Sequence, residues 1–405
     1  MPETQPARSG RPPAAQGSLG RHSWSTWPVY DKAVFGLRNF WYPVLWSRSL
    51  RAKPVSVQFL GEKVMLCRDG AKVRALSDRC VHRGVPLSEG EQLFPGTITC
   101  PYHGWTYRLD TGVMCAAITD GPDSPINGKV GVRSYPAAEK HGLVWVFAGP
   151  GDPPPLEDDL PEEFGTGRVR VAGRIEPGRL GNWRYAAENG FDEGHAKFLH
   201  RDAWWMKFRS LPAWSLTSVG PGPDPRWLVR HQDGVFWEDT FPGLGSFSNT
   251  SRVRTIAKRL RRQKQPARRI AALQIPEMVS VRLPYLLRVA YRNFIHYEWA
   301  VPEDADHHRY VQLLVSFPEN WLDDLLFRIH YAVYIRWVFH VRFTGQDAWM
   351  VRLMDVPPER LYRPDSSITE WRRLVEIQHR EPAESATRRS VPAARRGRQA
   401  DDAAG

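Results

Sequence analysis

Between about residues 40 and 150, apolar positions fall in short runs that alternate with polar ones. VSVQFL (55–60), KVMLCR (63–68), KVRALS (72–77), TITC (97–100), WTYRL (105–109) and GLVWVFAG (142–149) each read as a strand. Turns at Asp69-Gly70, Asp110-Thr111-Gly112 and His141-Gly142 separate them. The pattern predicts a small, all-β antiparallel domain over 40–155, closed by a linker at Gly151-Asp152-Pro153-Pro154-Pro155. From 156 to 380 the periods mix. RVRVAGRIE (168–176), WLVRHQ (227–232), YLLRVAYRNFIHYEWAV (285–301) and YVQLLVSF (310–317) are strand-like, while 181–199, 321–353 and 366–379 are helix-like. The expected class is α+β, with helices packed on an antiparallel sheet of helix-grip type in the second domain. Residues 1–25 and 381–405 are poor in large apolar residues and read as disordered tails. Trp321–Phe343 is the most apolar long stretch, but it holds Asp323, Asp324, Arg328 and Arg336. That excludes a comfortable membrane span and suggests a buried amphipathic helix.

Composition adds three points. A chain of 405 residues has room for two domains with ample core. Its 17 Trp read as core more readily than as the walls of a pocket for a flat ligand. The net charge of +12 is uneven: between Arg252 and Arg269 lie nine Lys/Arg and no acid. Such a run is a solvated loop or a contact for an acidic partner or an anionic lipid; with no nucleic-acid motif beside it, nucleic acid is the weakest choice. The opening residues carry no secretory-type apolar stretch, so a cytoplasmic, reducing setting is expected for the four cysteines Cys67, Cys80, Cys100 and Cys115. Cys67 and Cys115 read as core residues.

The other two cysteines belong to a pattern. Cys80-Val-His82-Arg-Gly and Cys100-Pro-Tyr-His103-Gly-Trp give C-x-H-x17-C-x2-H. Each half is a mixed Cys/His pair, whereas zinc sites of the Cys2His2 kind keep like ligands together. Two loops, each giving one thiolate and one imidazole, suit a [2Fe–2S] cluster with two sulfur ligands on one iron and two histidines on the other; the neutral ligands raise its potential.

A second constellation lies in GNWRYAAENGFDEGHAKFLHRDAWW (181–205), where Asp192, His195 and His200 stand close together. Two imidazoles and one carboxylate are the ligand set that leaves positions open on a mononuclear Fe(II). Residues five apart on an ideal helix point about 140° apart, so His195 and His200 require a π-like bulge or a break between Glu193 and His200, eased by Gly194. For the carboxylate, Asp347 on the later helical pattern is the better candidate, with Asp192, Asp323, Asp324 and Asp355 as alternatives. Phe191, Trp204, Trp205 and Trp237 could line a substrate pocket or simply pack in the core.

CVHRGVPLSEG, PYHGWTYRLDTGV, FAGPGDPPPLEDDLP and NWRYAAENGFDEGHAKFLHRD together resemble the α subunits of Rieske non-haem iron oxygenases, over about residues 38–375. The likeness is greatest to the homotrimeric branch of carbazole 1,9a-dioxygenases and oxoquinoline monooxygenases. The ending GQDAWMVRLMDVPPERLYRPDSSITEWRRL looks more like oxygenases of secondary metabolism, such as aminopyrrolnitrin oxygenases and prodiginine oxidative cyclases. The resemblance implies one Rieske [2Fe–2S] cluster on Cys80, His82, Cys100 and His103, and one mononuclear Fe(II) on His195, His200 and Asp347. It implies a head-to-tail homotrimer in which Asp192 links His103 of one subunit to His195 of the next, with Asn189 a polar neighbour of the iron. Electrons would come from a ferredoxin or a reductase. The reaction would use O2 to hydroxylate, or to cyclise or desaturate oxidatively, a hydrophobic aromatic or heteroaromatic substrate. The rivals are a pure electron-transfer Rieske protein, which the second constellation opposes, and a non-catalytic protein that kept the fold.

Overall fold

The structure is a computed structural model that describes residues 23–165, 169–200, 216–222, 224–233, 279–290, 294–354 and 359–380. Every apolar run expected before residue 150 forms a strand. β1 (Trp41–Trp46) pairs with β10 (Leu143–Phe147), which pairs with β9 (Ala137–Lys140). β2 (Val55–Phe59), β3 (Glu62–Asp69), β4 (Lys72–Ser77) and β8 (Ser134–Tyr135) form a four-stranded sheet. β5 (Thr97–Thr99), β6 (Trp105–Arg108) and β7 (Met114–Ala117) form a three-stranded one. All these pairings are antiparallel. Met65, Leu76, Leu87, Ile98, Tyr107 and Met114 pack with Cys67, Cys80 and Cys100 into one small apolar core. Cys67 is buried there as expected, but Cys115 is exposed, because it sits at an outward position of β7, between the inward Met114 and Ala117.

The second part is α+β. Seven antiparallel strands run in the order β11-β17-β16-β15-β14-β13-β12. They are β11 (Arg170–Leu180), β12 (Leu216–Pro221), β13 (Leu228–Asp233), β14 (Val279–Arg282), β15 (Leu286–Ala290), β16 (Phe294–Pro302) and β17 (His307–Ser316). The long run 285–301 is therefore two neighbouring strands, β15 and β16. β16 and β17 are buried along almost their whole length, since one face meets helices and the other meets the first part of the chain, where Trp299 packs edge-on against Trp145. Trp24, Trp145, Trp183, Trp227, Trp299 and Trp371 are all fully buried and build core, whereas Trp321, Trp337 and Trp349 are exposed.

Two helices hold the site. Asn182 caps the Trp183–Phe191 helix, its Oδ1 accepting from Arg184 N at 3.2 Å; such caps contribute about 1 kcal/mol. The buried Arg372 of the Ser366–Gln378 helix donates to Glu188 Oε1 at 2.8 Å and to Glu359, fixing the first helix from behind. Removing one partner of such a buried pair costs about 3–5 kcal/mol.

The Trp321–Phe343 stretch departs from expectation. It is an α-helix over Trp321–His330 that widens to a π-helix over Tyr331–Phe343 and leads into the Thr344–Leu353 helix. Ile335, Phe339 and Leu314 pack together beneath it, but Trp321, Leu326, Val333 and Trp337 are exposed. The apolar count had suggested a buried helix; only one edge of it is buried. Among the described residues no helix is long and apolar enough to cross a membrane. The basic run 252–269 and the residues Trp204, Trp205, Trp237 and Asp355 lie outside the described residues.

Candidate metal centres

The two Cys/His loops are built alike. Cys80 N donates to Val85 O (2.9 Å) and Gly84 N to Cys80 O (2.8 Å); Cys100 N donates to Trp105 O (2.8 Å) and Gly104 N to Cys100 O (3.1 Å). Each loop turns at a glycine in the left-handed region, with φ 76° at Gly84 and 66° at Gly104, where other residues are strained. Cys80 and Cys100 thereby point inward and are each 2% exposed, while His82 is exposed and His103 half-buried. The two imidazole centroids are 4.6 Å apart, and His82 stacks on Trp105. Burial pushes the Cys100 thiol up, and the neighbouring Cys80 adds to this. Two crowded, buried sulfurs and two outward imidazoles fit a mixed-ligand [2Fe–2S] cluster.

Tyr107, which the sequence reading did not single out, completes this site. Its hydroxyl accepts from Val81 N at 3.3 Å and lies 3.1 Å from Cys80 Sγ, so its own proton is free to donate to sulfur. The tyrosine sits on β6 two residues after Trp105, which is the only trace it leaves in the motif.

The second centre forms where the Trp183–Phe191 helix breaks. Asp192 has extended backbone (φ −69°, ψ 135°) and caps the next helix, Glu193–Phe198. Its Oδ1 accepts from Gly194 N at 2.9 Å and its Oδ2 from His195 N at 2.8 Å. The expected distortion is the end of the helix at Phe198, before His200; no π-bulge lies between Glu193 and His200, and the break at Asp192 precedes both histidines. Gly194 is not in the left-handed region and lies inside the short helix, so the helix's end and not the glycine separates the two histidines, while the Asp192 cap starts that helix. The π-helix is on the other wall, in Tyr331–Phe343.

His195, His200 and Asp347 come together, with ligand atoms all within 4.8 Å of one another. Asp347 Oδ1 is 3.4 Å from His195 Nε2 and 3.1 Å from His200 Nε2. His200 Nε2 is buried and, among the described residues, faces the Asp347 carboxylate without an aligned hydrogen bond, as befits an atom meant for a metal. The outer nitrogens are held: His195 Nδ1 is 3.2 Å from Asp192 Oδ2, and His200 Nδ1 is 2.9 Å from Gln346 Oε1. Asn189 Nδ2 donates to Asp347 Oδ1 at 3.2 Å, and Phe343 stacks on the His200 ring at 3.7 Å. Burial alone would lower His195, but the Asp192 and Asp347 carboxylates hold it up at about 9. Burial alone would raise Asp347, but the His195 and His200 imidazoles against it hold it far below the usual carboxylate range. Two imidazoles and one carboxylate, each fixed by a second contact, fit a mononuclear iron with open positions.

Of the alternatives, the described Asp192, Asp323 and Asp324 do not join them. Asp324 is paired with Arg170 and Asp323 Oδ2 accepts from Glu319 N, both at the start of the Trp321–His330 helix. Asp192 holds the outer edge of His195 and is no ligand of the trio. Phe191 is fully buried in the main core, which is the packing role and not that of a pocket wall. Gln346 was missed, since an amide beside the ligand carries no spacing rule.

Comparison with known proteins agrees with this chemistry. The description "Rieske [2Fe-2S] domain" matches residues 40–136 and "Homotrimeric ring hydroxylase" matches residues 147–381. The terminal oxygenase component of carbazole 1,9a-dioxygenase from Sphingomonas sp. is 31% identical over 91% of this chain and 98% of the relative. That from Metapseudomonas resinovorans is 32% identical over 86% of this chain and 92% of the relative. A carbazole-bound oxygenase variant in complex with the ferredoxin of carbazole 1,9a-dioxygenase superposes with a TM-score of 0.72 at 27% identity, covering 88% of this chain and 93% of that one.

Proposed function

This chain belongs to the homotrimeric ring hydroxylases, Rieske oxygenases that carry one [2Fe–2S] cluster and one mononuclear iron, and from that premise we propose the role of each site residue, the electron donor and the substrate class. Residues 40–155 form the cluster domain, with Cys80, His82, Cys100 and His103 as ligands, and 156–380 the iron domain, with His195, His200 and Asp347. When bound, the two groups supply single-electron transfer and oxygen activation. The protein orients them. Asp192 fixes the tautomer and angle of His195 through Nδ1, and Gln346 does the same for His200. Asn189 holds Asp347 Oδ1, leaving the other carboxylate oxygen uncommitted by that contact. Asp192 is the bridging residue between neighbouring subunits of a trimer, a role that its position beside His195 and the outward His82 and His103 support. A ferredoxin is the donor, as in the complex of the carbazole enzyme. The substrate is a hydrophobic aromatic or heteroaromatic ring. A cytoplasmic setting suits four cysteines that are all free.

The observation that carries this reading is the presence, in one chain, of a paired Cys/His double loop and a separate His195–His200–Asp347 cluster. Iron-loaded protein supplied with ferredoxin, reductase and an aromatic ring should consume oxygen and should show both a reduced mixed-ligand cluster and a separate ferrous centre. A cluster without the ferrous centre would make it an electron carrier.

A further inference from the structure

The sheet face beneath the iron helices is polar where a buried face is ordinarily apolar. Its register makes it so. His296 pairs with Leu314, Glu298 with Gln312 and Ala300 with Tyr310, and directly paired residues share a face. The face therefore collects His296, Glu298, Tyr310 and Gln312, while Ile295, Tyr297, Trp299 and Val301 take the other. His340 comes down from the π-helix, and its Nδ1 donates to Gln312 Oε1 at 2.6 Å. The His296 and His340 rings stand 6.2 Å apart, with Phe339 edge-on to His296 at 4.6 Å. Phe339 stacks on Phe343 at 5.3 Å, and Phe343 on the ligand His200 at 3.7 Å. The cluster is thus continuous with the iron site through two phenylalanines.

Among the described residues, three of its polar atoms have no partner. His296 Nε2, His340 Nε2 and Gln312 Nε2 are buried and unbonded, and the three residues are at most 1% exposed. Native proteins seldom leave buried polar atoms unpaired without a role for them. The bonds already made set what the imidazoles offer. His340 gives its Nδ1 proton to Gln312, and His296 turns Nδ1 toward Glu298 Oε1 at 3.4 Å. Burial keeps both rings neutral, His340 being pushed down to about 3 and His296 well below the usual histidine value. The bond to Gln312 makes His340 Nε2 a lone-pair acceptor, and His296 Nε2 is the same in the tautomer whose Nδ1–H faces Glu298.

We propose that His296 and His340 are specificity-determining residues that select aromatic substrates bearing an N–H or O–H donor, accepted at their Nε2 atoms. Gln312 Nε2 supplies a complementary donor for a neighbouring acceptor. A plain hydrocarbon of the same shape leaves these atoms dry and unpaired, and sites built to hydrogen-bond a group discriminate strongly against analogues lacking it. The proposal rests on the iron assignment above, because the cluster matters only if the substrate lies beside His200.

Calorimetric affinities of the iron-loaded protein for isosteric sets test it: carbazole against fluorene and dibenzofuran, indole against indene and benzofuran, and 4-hydroxybiphenyl against biphenyl. The donor-bearing member should bind at least about 10-fold tighter in one set, the last set separating O–H from N–H. His296→Leu and His340→Leu should each erase most of that preference, while His340→Gln, which keeps an acceptor, should retain part of it. Equal affinities within every set, a preference that survives both leucine variants, or no binding by any donor-bearing ring would overturn the proposal. The isostere comparison on the unsubstituted protein stands even if a variant fails to fold. Loss of the ferrous centre in that protein would instead defeat the iron assignment, so the two failures are distinct.

Discussion

Asp192 grips His195 at two points: its Oδ2 accepts the histidine's backbone N–H at 2.8 Å and faces its ring Nδ1 at 3.2 Å. One carboxylate thus starts the short helix and orients the imidazole it carries. Asp192→Asn keeps a cap acceptor but loses the charge that holds the ring. Turnover should fall by about 10–100-fold while the cluster and the mononuclear iron both stay bound, as read by oxygen uptake and metal analysis. Unchanged turnover would reject the orienting and bridging role.

Gln346 does for His200 what Asp192 does for His195, through an uncharged contact of 2.9 Å. Gln346→Leu should weaken mononuclear iron binding by about 10–100-fold, measured by chelator competition, and leave the cluster spectrum alone. Equal iron retention would show that the stacked Phe343 suffices to hold the ring.

The Tyr107 hydroxyl donates toward Cys80 Sγ, which favours the more negative, reduced cluster. Tyr107→Phe should lower the cluster's midpoint potential by roughly 40 mV, the one-electron equivalent of a hydrogen bond contributing about 1 kcal/mol. Redox titration followed by EPR reads it. No shift would mean that the hydroxyl serves only the Val81 backbone.

His308 gives a pH dependence remote from either metal. It is fully buried, its Nδ1 donates to Gly181 O at 2.8 Å, and burial lowers its pKa from 6.5 to about 4. Between those values the unfolded chain binds a proton that the folded one refuses, so stability falls as pH drops below 6.5. The loss is about 1.4 kcal/mol per pH unit. His308→Gln should flatten the fall in melting temperature between pH 6.5 and 5; an unaltered slope would assign the acid sensitivity to other groups.

How much of this could be read from the sequence follows from what each feature depends on. The proposed ligands Cys80, His82, Cys100, His103, His195 and His200 were legible because metal chemistry restricts residue type and spacing together. Asp347 was legible only as the best of several carboxylates, through its place on the later helical pattern and then the resemblance, since a lone carboxylate 147 positions after His200 has no local spacing rule. The polar cluster was not legible at all: His296 and Gln312 meet only through the β16–β17 register, and His340 reaches them from a π-helix. The Trp321–Phe343 stretch misled because apolar content signals a tendency to be covered and does not say by what, and its outward face carries Leu326, Val333 and Trp337. Cys115 misled for a related reason: one position along a strand separates the inside from the outside.

The Glu193–Phe198 helix has only six residues, far too few to persist by its own backbone bonds. Its order is borrowed from the Asp192 carboxylate at one end and, in the proposed iron site, from His195 within it. Capturing the iron and nucleating that turn are therefore a single cooperative event, and a chain deprived of metal should lose protection from hydrogen exchange there before anywhere else in the second sheet's surroundings.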